Sequence, residues 1–321
     1  MKNLDFVVIG AQKCATTTLF ELLRQHPRIN LPIEKEVPFF TRDDCSPGAW
    51  QTFARRYFGP EDERLLGKVS PQYMANPEVP GRLAAAMPDT RIIALLRDPL
   101  ERSRSHYRMG QRRATESRDF SSAMGDCLNP MALARARAGR APSHDQGYES
   151  EGDFYLAWSE YGRILATYRR YFPAAQILTL FTEDLEQNPR GVLDQVLAFL
   201  GLNDAFQPRG LGEVMHAGGG SNRVPHELRV WLRERGPVRA LWRLVPDQHQ
   251  GRLRFLYERW NTRKSKSALT LPAALEAELR SHFARDIELM ISEDLPIPPW
   301  AANYGVDTHE RHSQFAKSAD A

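Results

Sequence analysis

At 321 residues the chain has room for one large α/β domain or two modest ones, and 42% apolar with 26% charged residues excludes bulk disorder and fibrous repeats. A formal net charge of +3, without RRM, zinc-finger or helix-turn-helix signatures, counts against a nucleic-acid-binding protein. The longest apolar runs, Phe6–Ala11 and Ile92–Leu96, fall far short of the roughly 18 residues that span a bilayer, and Met1–Phe6 carries no secretory leader pattern.

Leu4–Ile9 reads as a buried parallel strand ending at Gly10, and Thr16–His26 as a helix with Leu19, Leu22 and Leu23 on one face. Leu65–Val69 is a second strand, Glu78–Met87 a helix, and Arg91–Leu96 the clearest strand of the chain. Asp98-Pro99-Leu100-Glu101 then supplies an acidic N-cap, proline at the first helical position and an acid in the first turn, which predicts a helix to about Arg113. Residues 114–150 look aperiodic and polar, an irregular insertion. Phe154–Tyr171 reads as an amphipathic helix, Gln176–Phe181 as a strand, and Gly191–Leu200 as a helix closed by Gly201. This alternation predicts a parallel sheet with helices on both faces. Beyond Leu202 come a glycine-rich hinge at Gly218–Gly220, basic helical stretches, a helix from about Pro272 to Ser292 and a proline-rich tail. The expected layout is one domain over 1–321: a core at about 4–202, a basic lid with C-terminal helices at about 203–300, and a flexible tail at 305–321.

Charge is unevenly spread. Ser221–Lys266 holds twelve Lys/Arg against four Asp/Glu, and seven arginines from Arg97 to Arg118 crowd around one predicted helix. Two such concentrations point to an anionic partner. The three cysteines, Cys14, Cys45 and Cys127, are scattered with no C-x-x-C pair, which argues against a disulfide scaffold or a zinc site and for a cytoplasmic protein. No His/Cys/Asp cluster has metal-ligand spacing, so no metal is expected.

Gly10-Ala11-Gln12-Lys13-Cys14-Ala15-Thr16-Thr17-Thr18 carries the most chemistry. A strand ends in glycine, a turn holds one lysine, and hydroxyl residues open a helix, an arrangement that aims backbone N–H groups and a positive helix end at one anion. The order differs from a Walker A loop: the lysine comes early, and it is not directly followed by the hydroxyl that would hold Mg²⁺. A positive loop would lower the Cys14 thiol pKa, although the residue is read as a small loop residue and not as a nucleophile.

This segment resembles the 5′-phosphosulfate loop of sulfotransferases that use PAPS (3′-phosphoadenosine 5′-phosphosulfate). Arg97 at a strand end and Ser105 on the following helix are similar to that family's 3′-phosphate motif, and Ser221, Asn222 and Arg223 stand where relatives place a basic, glycine-containing segment over the same phosphate. The resemblance implies a P-loop-NTPase-like α/β fold and a cofactor site of Lys13, Cys14, Ala15, Thr16, Thr17, Thr18, Arg97, Ser105, Ser221, Asn222 and Arg223, with PAP as product. Gly67-Lys68-Val69-Ser70-Pro71-Gln72-Tyr73 resembles the K-x-P-x-Y-type segment of heparan-sulfate and related carbohydrate sulfotransferases, and Glu36-Val37-Pro38-Phe39-Phe40 their E-x-x-F-F motif. On that resemblance Glu36 is the general base, with Glu34 the competing assignment, and Lys13 and Lys68 attend the transferring group; Phe39 and Phe40 would give the carboxylate dry surroundings. The implied acceptor is a hydroxyl or amine on a saccharide or glycolipid, chosen by residues 41–62, 114–150 and the C-terminal region. Tyr148, Trp158 and Tyr161 read as core rather than sugar platforms. The basic segment with Trp231 and Trp242 reads as a cofactor lid, with contact to a membrane surface as its alternative. The competing functions are an ATP-dependent small-molecule kinase on the same sheet and a non-catalytic nucleotide-binding scaffold.

Overall fold

The structure is a computed structural model and describes residues 2–60, 63–113, 115–139, 151–202, 205–212, 220–222, 224, 262–264 and 269–307. Five short strands form the central sheet: β1 (Phe6–Gly10), β2 (Ile29–Asn30), β3 (Leu65–Val69), β4 (Arg91–Leu96) and β5 (Ile177–Phe181), all parallel and in the order β2-β3-β1-β4-β5. Apolar residues fill β1 and β4 on both faces because helices cover both sides, and Phe6, Val7, Val8, Ile9 and Ile92–Leu96 have no more than 0% of their surface exposed. The expected α/β architecture is therefore present.

The helices named here are α1 (Thr16–Leu23), α2 (Pro47–Phe58), α3 (Val79–Ala86), α4 (Pro99–Arg113), α5 (Phe120–Leu128), α6 (Pro130–Ala138), α7 (Tyr161–Arg169), α8 (Thr182–Gln187), α9 (Pro189–Phe199) and α10 (Ala273–Ser292). The capping signal at Asp98 works as read: its Oδ1 accepts from the backbone N–H groups of Leu100 (2.9 Å) and Glu101 (3.0 Å). Gly201 ends α9 in the left-handed region at φ 76°.

Two expectations are corrected, and one helix was not read from the sequence. Residues 120–138, read as part of an irregular insertion, form α5 and α6. Asp119 caps α5 through the Ser122 N–H (2.9 Å), Asn129 caps α6 through Met131 N–H (3.0 Å), and Phe120, Ala123, Met124 and Cys127 make a buried helical stripe out of small or soft residues. Phe154–Tyr171 is not one helix but two short 3₁₀ turns, Gly152–Phe154 and Ala157–Ser159, followed by α7. α2, absent from the sequence reading, starts at a Ser46 cap with Pro47 at the first position and buries Trp50, Phe53, Ala54 and Phe58.

C-terminal helix α10 packs on α7 as part of the same core, burying Leu279, Phe283, Ile287 and Met290. The contact is close because Gly162 has no side chain: a Cβ there would lie 2.3 Å from the Asp286 carbonyl oxygen. Asp286 in turn accepts the N–H groups of Gly162 (2.8 Å) and Arg163 (3.0 Å) at the start of α7. Strand β6 (Gly220–Asn222) pairs antiparallel with β7 (Thr262–Lys264), and its backbone runs beside α4. Gly162→Ala forces α7 and α10 apart and should lower the unfolding free energy by about 1–3 kcal/mol, the usual cost of overpacking, read as a fall in the urea midpoint at unchanged slope.

Candidate functional site

β1 sits between β3 and β4, so the loops that leave these three strands emerge at one edge of the sheet. The chain leaves β1 toward β2 on one side and β4 toward β5 on the other. The β1–β4 boundary is thus the point where the winding reverses and a crevice opens, the usual ligand position in an open α/β sheet. Gly10 is in register with Ala94, so Lys13 and Arg97 each lie three residues past a matched pair on strands about 4.8 Å apart.

The β1 loop is tightly held. Ala11 N–H donates to the Leu95 carbonyl (2.7 Å) and Cys14 N–H to the Ala11 carbonyl (3.2 Å). Lys13 (φ 76°) and Ala15 (φ 55°) are left-handed, which few non-glycine residues adopt. Alternation of backbone handedness curls successive N–H groups toward one side. Ala15 is the N-cap of α1 and, having no side-chain oxygen, makes no side-chain cap at the positive end of that helix. Thr16 and Thr18 are buried and Thr17 is partly buried. Cys14 is a small loop residue as read, but its pKa is not lowered: its side chain is fully buried with Sγ 3.8 Å from the Tyr161 hydroxyl, and burial raises its pKa to about 11 despite Arg102 and Arg97 nearby. Cys14 is a neutral thiol.

Across the crevice, Arg97 leaves β4 partly exposed and Ser105 lies on α4 with 9% of its surface exposed. Ser221 and Asn222 belong to β6 beside that helix; Arg223 lies outside the described residues, as do Tyr148, Trp231 and Trp242. The arginine concentration around α4 is not one open anionic docking face. Arg102 is completely buried, Arg104 pairs with Glu101 (2.6 Å), Arg113 faces Glu151 (3.8 Å), and Arg118 pairs with Glu116 (2.8 Å) and Asp126 (2.9 Å).

Glu36, on the segment that follows β2, reaches the same edge beside the end of β3. Its N–H donates to the Val69 carbonyl (3.2 Å), one residue before Ser70, whose own N–H bonds to Val8 of β1 (3.0 Å). Glu36 is again left-handed, at φ 70°. Its side chain is 30% exposed, with Oε2 accepting from Gln72 Nε2 (3.3 Å) and Oε1 paired with Lys35. Glu34 is exposed. Phe39 and Phe40 are buried against Trp50, Phe53 and Tyr73, and the Tyr73 hydroxyl accepts both of their N–H groups (3.1 and 3.2 Å). Gln72, which the sequence reading quoted but gave no role, is the partner that orients Glu36.

Lys68 departs from the expected position. Its ammonium is wholly buried, donates to the Val37 carbonyl, and lies 5.2 Å from the Phe53 ring centre and 5.7 Å from that of Tyr73. Two residues stand between Lys68 and Pro71 where the K-x-P-x-Y spacing has one, and along a strand that one-residue change turns the side chain to the opposite face. Burial lowers its pKa to about 7, with the Glu36 charge opposing the shift. Trp158 and Tyr161 are core residues as read, at 4% and 1% exposure. His26 is structural: buried, its ring packs at a tilt of 60° against Phe206 (centroids 4.5 Å apart) and its Nδ1 accepts the Arg28 N–H (3.1 Å).

Among the described residues, no group of three His, Cys, Asp or Glu could hold a metal ion, and no helix is long and apolar enough to cross a membrane. The donor set at the crevice fits an elongated anion with a negative group at each end: a left-handed loop with Lys13 and an uncapped helix start on one side, Arg97 and Ser105 on the other.

The pattern of the sulfotransferase domain matches residues 3–209, most of the chain and every element just described up to α9. The chain belongs to the sulfotransferase domain family. Among curated relatives, this sulfotransferase-family chain is 36% identical over 104 residues to the membrane-associated sulfotransferase kil1 of Dictyostelium discoideum, a match covering 32% of this chain and 22% of that protein. It is 29% identical over 205 residues to the mouse heparan sulfate glucosamine 3-O-sulfotransferase 3B1, covering 61% of this chain and 45% of that one. With the human bifunctional heparan sulfate N-deacetylase/N-sulfotransferase 3 it shares 30% over 203 residues, covering 61% and 22%. The matches therefore span from about a fifth to less than half of the length of these relatives. A crystal structure of a sulfotransferase from Alicyclobacillus acidocaldarius has the same fold, with a TM-score of 0.61 at 22% identity over 94% of this chain and 99% of that one.

The buried lysine yields a pH test. Lys68 carries fewer protons folded than unfolded between its folded pKa of about 7 and its ordinary 10.5, so stability should rise with pH across that window; the cost of burying the charge is fully present below pH 7. Lys68→Met removes this dependence. The unfolding midpoint of the native chain relative to Lys68→Met should climb from pH 7 to 10, and parallel curves would show that the amine is not desolvated.

Proposed function

We propose that the protein transfers a sulfuryl group from PAPS to a hydroxyl or amine of a saccharide or glycolipid, with Glu36 as general base. One observation carries this reading: the Lys13 loop and the Arg97/Ser105 pair leave adjacent parallel strands at the winding reversal, with the Glu36 carboxylate at the end of the third strand along the same edge. Family membership and the names of the heparan sulfate relatives support the reaction class and the acceptor class.

Bound PAPS supplies the sulfuryl group and departs as PAP. In this reading, Lys13 and the backbone of Cys14, Ala15, Thr16, Thr17 and Thr18 hold the 5′ end and neutralise charge on the leaving phosphate, while Arg97 and Ser105 hold the 3′-phosphate, with Ser221, Asn222 and Arg223 as its further ligands. The Glu36 carboxylate takes the acceptor proton; Gln72 fixes one oxygen and Lys35 the other. Lys68 acts from beneath, holding the Val37 carbonyl and hence the segment that follows Glu36, rather than touching the transferring group.

Calorimetry should show PAP binding without Mg²⁺; ATP binding that requires Mg²⁺ would instead favour a kinase. A [³⁵S]PAPS screen over saccharides, glycolipids and phenols identifies the acceptor, and a chain that binds PAP yet labels nothing is a scaffold. Lys13→Ala should lower turnover at least 10²-fold, the scale for removing one group that stabilises developing charge. Glu36→Gln should collapse turnover while PAP affinity stays within about twofold of native, since a base acts on the acceptor; if PAP affinity falls with it, Glu36 is structural.

A further inference from the structure

A left-handed lysine and alanine in one loop cost free energy and persist only where surrounding groups hold them. What holds this loop from the far side is a buried polar cluster made by α4 and the segment that enters α7. Gln12, immediately before Lys13, is 8% exposed and donates from Nε2 to Glu151 Oε2 (3.3 Å). His106, at 0% exposure, lies 2.8 Å from the same oxygen through Nε2, and Arg113 approaches Glu151 Oε1 at 3.8 Å.

Geometry fixes the imidazole tautomer. A hydrogen bond to a carboxylate oxygen requires the proton on Nε2, which leaves Nδ1 as an acceptor, and Arg102 Nη1 stands 3.4 Å from it. Burial, with Arg102 and Lys13 nearby, lowers the His106 pKa to about 4, although Glu151 opposes the shift, so the ring stays neutral in this role. It is clamped flat on Trp158, with centroids 5.2 Å apart at 14°. Arg102 Nη1 reaches the Gln12 carbonyl as well (3.5 Å). Gln12 is thus gripped at both its backbone and its side chain, and both grips run back to α4, the helix that carries Ser105.

We propose that Glu151, oriented by His106, is a positioning residue for the Lys13 loop: through Gln12 it fixes the backbone of Lys13-Cys14-Ala15 in its left-handed curl and locks that curl to the helix bearing Ser105. The two ends of the anion site then keep one spacing. The proposal rests on the reading of that crevice as a PAP-type site only for its effect on binding; its effect on the loop stands without it.

Hydrogen–deuterium exchange on the ligand-free protein tests the grip directly. Glu151→Gln and Gln12→Met, the second chosen to keep side-chain length while removing the donor, should each speed exchange of the 10–16 amides about tenfold or more, with α10 amides unchanged. The double variant should exchange no faster than the worse single one, because both changes break one contact. In calorimetry each variant should bind PAP about 10- to 100-fold more weakly, the range seen when an outer-shell partner of a binding group is lost. Unchanged protection of residues 10–16 in Gln12→Met, which leaves the Glu151–His106 pair in place, overturns the proposal, as does additive acceleration in the double variant. Wild-type protein that fails to bind PAP would refute the donor reading alone, and the exchange data would still decide the role of Glu151.

Discussion

Parallel pairing of β1 with both β3 and β4 is the constraint on which the site depends. Three adjacent strands pointing the same way deliver three loops to one edge, and the register sets how far each reaches beyond it. Neither Lys13, Arg97 nor Glu36 is near the others in sequence. Lys13 and Arg97 each follow a strand end by no more than three residues, and Glu36, on the segment after β2, is brought to the same edge by its N–H bond to Val69 at the end of β3. Burial on both faces makes that register firm, since a slip of one residue would turn Val7, Val8, Ile92 and Ile93 out of their contacts.

Strain falls where the chemistry is expected. Among the described residues, four non-glycine positions have positive φ, and three of them are Lys13, Ala15 and Glu36. Such conformations cost about 1–3 kcal/mol each and need support from elsewhere. The β1 loop draws it from Leu95, Glu151 and Arg102; Glu36 draws it from Val69 and Gln72. The loops are consequently stiff where an anion would meet them, which suits catalysis by prearranged charge more than by movement.

Local rules recovered the strands and the capped helix because both are written in adjacent residues. Arg91–Leu96 is continuous apolar sequence, and Asp98-Pro99 is a complete start signal. α5 and α6 escaped because their buried stripes use alanine, methionine and cysteine, which carry little periodic contrast, and β2 escaped because two residues make no pattern. At the site, Lys13 and Arg97 were legible from their places after strand ends, whereas Ser105 and Glu36 came from the resemblance to sulfotransferase motifs. The orientation of Lys68 was not, since it depends on a single residue of spacing. Gln12, His106 and Glu151 were hidden for a deeper reason: a buried network spanning residues 12 to 151 is a tertiary fact with no local signature.

Arg102 is held beneath the Lys13 loop without a direct ion pair among the described residues. A fully buried guanidinium would ordinarily be paired with a carboxylate, because desolvating an uncompensated charge is expensive. Here its hydrogen bonds go to the Ser159 hydroxyl, the Tyr155 and Gln12 carbonyls and the neutral His106 ring, and the nearest acid of the cluster, Glu151, is reached only through that imidazole. Neutral acceptors solvate the cation without cancelling its field. The interposed histidine keeps guanidinium and carboxylate apart, so neutral acceptors solvate the cation while the Glu151 carboxylate accepts from Gln12 Nε2 instead.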